Sequence, residues 1–104
     1  MAPPKKKVIN VPRKQAKLFR KIFADAPPAN IKWSELETAM RGSGFDVVRI
    51  AGTAVRFQPQ DNRDRPVVLY RPHPGKELSP QKVKEIARVL GKRYGWTANM
   101  FVGA

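Results

Sequence analysis

The stretch Gly52-Thr53-Ala54-Val55-Arg56-Phe57-Gln58 decides the fold. A glycine suited to a tight turn opens it. Val55 and Phe57 then share one face and Ala54 and Arg56 the other, the period of two that marks a half-buried strand. Upstream, Phe45 to Ile50 (FDVVRI) is also strand-like, and only Ala51-Gly52 joins the two runs. Downstream, Pro59-Gln60-Asp61-Asn62-Arg63-Asp64-Arg65-Pro66 is a polar turn, and Val67 to Arg71 (VVLYR) reads as a third strand.

Helices bracket these strands. Ser34 with Glu37 three residues later matches a capping box, followed by Leu36, Ala39 and Met40 at helical spacing and by Gly42 and Gly44 as stops. Ser79-Pro80 is a second helix start, a serine N-cap with proline in the first turn, where its missing N–H is harmless. Val83, Ile86, Ala87, Leu90 and Tyr94 follow at helical spacing. Trp96, Met100 and Phe101 make a short apolar tail that can fold back, and Trp33 and Trp96 are expected in the core. The expected fold is α+β: a small α-β-β-β-α domain over residues 31–104, its three-stranded antiparallel sheet covered by helices on one face.

Ahead of that domain, Arg13 to Ala24 (RKQAKLFRKIFA) reads as an extra helix with Ala16, Phe19, Ile22 and Phe23 on one side. The prolines after Asp25 stop it, so residues 13–30 form a helix and a proline-rich linker. Residues 1–12 (MAPPKKKVINVP) read as a basic disordered tail, too poor in apolar side chains to bury.

Lys plus Arg is 21 and Asp plus Glu is 8, a formal charge of +13 on 104 residues. Such an excess attracts polyanions, nucleic acid first among them. The first 21 residues hold eight cations and no acid. With no cysteine and a single histidine, His73, a disulfide framework, a thiol nucleophile and a Cys- or multi-His metal site are excluded. No cofactor is expected. No apolar run approaches the ~20 residues that span a bilayer, and there is no apolar signal-peptide core. The expected location is intracellular, cytoplasmic or nuclear; Lys5-Lys6-Lys7 resembles a short nuclear address and equally suits an arm that touches phosphates.

Two segments carry a family resemblance. Gly52-Thr53-Ala54-Val55-Arg56-Phe57 is similar to the Gly-Ser-His-x-x-Phe segment of the HicA-type mRNA interferase toxins, and Arg71-Pro72-His73-Pro74-Gly75-Lys76-Glu77-Leu78 to their Pro-x-His-Pro-Gly-Lys-Glu-Leu segment. The resemblance covers Trp33 to about Trp96 and implies a reduced double-stranded-RNA-binding-domain-like fold. It implies metal-independent cleavage of mRNA by a histidine on the second strand, where an imidazole of near-neutral pKa removes the 2′-hydroxyl proton. Here Ala54 occupies that position and has no ionisable group.

No residue is therefore assigned to catalysis. His73 corresponds to a second histidine of the family; it is a relocated base, a phosphate contact, or a turn residue bonded to its own backbone. Arg56, Arg71, His73, Lys76 and Lys82 are the candidate RNA contacts. Arg56 shares the face of Ala54, and Lys76 precedes a helix start whose free N–H groups suit a phosphate. Three functions follow as expectations. The first is an RNA-binding protein that has lost cleavage. The second is a working endoribonuclease that uses His73. The third is an interaction module that keeps the surface for an antitoxin-like protein.

Overall fold

The computed structural model describes residues 9–26, 30–61, 65–72 and 77–103. Along the chain run β1 (Ile9–Val11), α1 (Arg13–Ile22), β2 (Ile31–Lys32), α2 (Trp33–Gly42), β3 (Phe45–Ala51), β4 (Ala54–Pro59), β5 (Val67–Tyr70), β6 (Glu77–Leu78), α3 (Pro80–Tyr94) and β7 (Phe101–Gly103). A single 3-10 turn, Ala98–Met100, precedes β7. The sheet is antiparallel in the order β3-β4-β5. Gly52 turns β3 into β4 at φ +54, a left-handed conformation that disfavours any residue with a Cβ.

Strand alternation sends Phe45, Val55, Phe57, Val67 and Leu69 to one side, where all are buried. Leu36, Ala39 and Met40 of α2 and Val83, Ile86 and Leu90 of α3 are buried in the same core. Helix α2 packs beside β3 and α3 beside β5. The architecture is the α+β one expected: three helices and a three-stranded antiparallel sheet, compatible with a small double-stranded-RNA-binding-domain-like α-β-β-β-α body.

The start of α3 is built as its sequence reads. Ser79 Oγ accepts the Lys82 backbone N–H at 3.1 Å, Pro80 opens the first turn, and Gly95 closes the helix at φ +70. The start of α2 is not. Helix begins at Trp33, and the Glu35 carboxylate accepts the Lys32 backbone N–H at 3.1 Å. Ser34 does not cap; its carbonyl accepts the Thr38 hydroxyl. Glu37, read from sequence as half of a capping box, is buried and accepts the Trp33 indole N–H at 2.8 Å. The physical reason is that Trp33 and Glu37 stand one helical turn apart, and a buried indole needs an acceptor. Arg49 of β3 approaches the same carboxylate at 3.5 Å.

The flanking segments are also built into the body. Ile9–Val11, read from sequence as tail, pairs in parallel with Phe101–Gly103. Ile31–Lys32 pairs with Glu77–Leu78, antiparallel. Helix α1 stops at Ile22 and packs on α2, on α3 and on β7. Where α1 meets α2, a Cβ on Gly42 would collide with the Gln15 side chain. Phe19 lies parallel to Phe101 at 4.2 Å and meets Trp96 edge-on at 5.6 Å. Phe45 meets Trp96 edge-on from the sheet side, so one aromatic cluster joins flank and body.

Candidate nucleic-acid interface

Because the helices take one side of the sheet, the other side is open. Val48 of β3, Arg56 of β4 and Val68 of β5 form one cross-strand row. Ala54 faces Tyr70 in the next row. The apolar members are exposed: Val48 37%, Ile50 52%, Val68 41% and Tyr70 56%. Arg56 is exposed among them and makes no ion pair with a described residue.

Beside Ala54 the sheet drops into an open groove of ≈ 470 Å³ lined by Thr53, Tyr70, Arg71, Glu77, Ser79 and Lys82, among others. Arg71 is half-buried. Its backbone N–H donates to the Thr53 carbonyl at 2.9 Å and its Nη2 to the Gly52 carbonyl at 3.2 Å, so the side chain braces the β3–β4 turn. Its Nε is buried with no partner among the described residues. Lys82 is half-buried and lies 3.8 Å from Glu85. The first turn of α3 has little left to offer an anion. Pro80 has no N–H, and that of Lys82 is taken by Ser79.

Of the residues singled out in the sequence, Arg71 and Lys82 thus come together in the groove. Ala54 stands beside them through its cross-strand neighbour Tyr70, and Arg56 is one row further along β4. His73 and Lys76 lie outside the described residues, as do Lys5, Lys6 and Lys7; Pro72 and Glu77, on either side of the His73–Lys76 segment, both line the groove. The sequence reading missed the exposed apolar stripe. Its signal was present in the doublets Val47-Val48 and Val67-Val68: adjacent strand residues point to opposite faces, and only one face can be covered by two helices.

Among the described residues no group of His, Cys, Asp and Glu could hold a metal ion, and no helix is long and apolar enough to cross a membrane. A family model described as the HicA toxin of bacterial toxin-antitoxin matches residues 33–92. No curated protein and no solved structure matches the chain. The matched span starts at the first residue of α2, takes in the whole sheet and the groove, and stops two residues short of the end of α3. With more than half of the 104 residues inside that match, the chain belongs to the HicA toxin family, whose members typically pair with an antitoxin and act on RNA.

Proposed function

We propose that this protein binds structured RNA inside the cell through the sugar-phosphate backbone and does not cut it. What supports this reading is Ala54, which the resemblance sets at the position of the family's histidine, next to a groove lined by Arg71 and Lys82 and one row from Arg56. A methyl group cannot take the 2′-hydroxyl proton, and loss of one general base lowers the rate by about 10²–10⁴-fold. Arg56, Arg71 and Lys82 supply cations that suit phosphates. Backbone recognition of this kind needs charge and shape and no base-specific contact.

An RNA titration and a degradation assay on one preparation test the proposal. Hairpin or duplex RNA should bind in low salt, with affinity falling steeply as salt rises. Arg56→Ala should lower the magnitude of the salt slope by about 1. Ala54→His should restore cleavage if the rest of the centre is intact. Cleavage by the unaltered protein, abolished in His73→Ala, would replace this reading with that of an active ribonuclease.

The exposed Val48, Ile50, Val68 and Tyr70 favour a second reading, a protein partner of antitoxin type seated on the open sheet face. An apolar patch with an aromatic member is what anchors a protein interface. A stoichiometric partner lost on Tyr70→Ala, together with no salt-sensitive RNA affinity, would favour it over the first.

A further inference from the structure

Helix α1 lies wholly outside the family-matched span and carries the most one-sided charge among the described helices. At 100° per residue, Arg13, Lys14, Lys17, Arg20 and Lys21 fall within an arc of about 120°. All five are exposed. The opposite side, Ala16, Leu18, Phe19 and Ile22, is buried in the core. Among the described residues none of the five forms an ion pair. Arg20 donates to the Phe101 carbonyl at 3.1 Å, and Glu35 shares a shallow hollow with Lys14, though its carboxylate is bonded to the Lys32 N–H.

Arg20 and Lys21, in the last turn, suit the helix dipole, but the rest of this face does not serve the helix. Arg13 and Lys14 sit in the first turn, where the helix dipole is positive and no acidic side chain offsets them. Arg13 and Lys17, and Lys17 and Lys21, are like-charge pairs at i,i+4, which destabilise a helix. Such an arrangement gains from an anion supplied from outside.

We infer that the basic face of α1 is a second nucleic-acid site, separate from the sheet face and groove, which holds the phosphodiester backbone of a duplex. From Arg13 to Lys21 the helix rises about 12 Å. A duplex presents about seven phosphates over that length, at roughly one per 1.7 Å, so five cations match its charge density within a factor of two. An anionic membrane fits less well, because the apolar side a bilayer would receive is already buried against α2, α3 and β7. An acidic protein fits less well too, since the face has no aromatic or aliphatic anchor. The choice of RNA as the duplex rests on the RNA-binding reading above.

The test compares the full chain with two variants, Lys14→Gln/Lys17→Gln/Lys21→Gln on α1 and Arg56→Gln/Lys82→Gln on the sheet and groove. Each is titrated with a hairpin RNA and with a DNA duplex of equal length over about 50–200 mM salt. The α1 variant should bind more weakly, with a salt slope smaller in magnitude by about 3. Over that salt range the full chain should therefore lose roughly 40–60-fold more affinity than the variant. Lys14→Arg/Lys17→Arg/Lys21→Arg, which keeps the charge, should bind like the unaltered chain. An unchanged slope in the glutamine variant overturns the inference, and if the Arg56/Lys82 variant is weakened in the same series the RNA-binding reading stands alone. The reverse pattern upholds α1 and removes the sheet-face seat. Binding of DNA through α1 with none of RNA upholds α1 and overturns the RNA reading. Absence of binding to either duplex overturns both. A loss seen only against poly-glutamate, or only against vesicles containing phosphatidylserine, would reassign the face to an acidic protein or to a membrane and overturn the proposal.

Discussion

Between the family-matched body, residues 33–92, and the flanking segments, residues 9–26 and 96–103, the two kinds of chemistry are unequally shared. The body holds the sheet and the groove. The flanks hold the most one-sided helix among the described residues, yet Val11, Phe19, Ile22, Trp96, Met100 and Phe101 sink into the same core as Phe57 and Leu36. A family's boundary in sequence is therefore not a folding boundary in this molecule. The flanks supply part of the core, and burial of the apolar side of α1 leaves its cations on the outer side.

The largest effect expected follows from that shared core. Phe19 is fully buried, stacked on Phe101 and edge-on to Trp96. Phe19→Ala should destabilise the whole protein by about 3–5 kcal/mol, as much as Phe57→Ala within the body. Urea unfolding followed by near-UV and far-UV signals should show one coincident transition, shifted in both variants. If Phe19→Ala left the melting of the body unchanged, the flank would be an appendage and the comparison would fail.

Next in size is the buried acid of α2. Glu37→Ala removes the acceptor of the Trp33 indole N–H and should cost about 1–3 kcal/mol, the range for a buried donor left unpaired. Glu37→Gln keeps an acceptor and loses only the charge facing Arg49, whose side chain is 59% exposed. With the Arg49 partner so open to water and 3.5 Å away, the pair is worth about 0–1 kcal/mol, so glutamine should recover most of the loss. Equal losses in the two variants would mean that the charge outweighs the hydrogen bond. Thermal melts of both variants decide between these outcomes.

How far the sequence could be read depends on how local each signal is. The start of α3 lies in two adjacent residues, Ser79 and Pro80, and the faces of β4 in four, and both are legible. The pairings of β1 with β7 and β2 with β6 join stretches of two or three residues far apart in the chain, too short for any period to show. Glu37 misled because an acid three residues after a serine has two uses, and only the packing of Trp33 decides between them. At the site, alternation alone puts Ala54 and Arg56 on one face. The tie from Arg71 to the Gly52 carbonyl spans 19 residues of sequence and needs the folded sheet.

The smallest effect sharpens the contrast between α1 and α3. Helix α3 begins on a side-chain cap, Ser79 Oγ, whereas α1 begins at Pro12 with no side-chain cap at all. Helix α1 is thus held by burial of its apolar side, and α3 has a local device as well. Ser79→Ala should cost about 1 kcal/mol, seen as a fall of roughly 4–8 °C in Tm for a domain of this size. Ser79→Asn should restore nearly all of it, because asparagine caps as well as serine. If alanine and asparagine melted alike, the bond to Lys82 would contribute nothing, and α3 would depend on its buried face as wholly as α1 does.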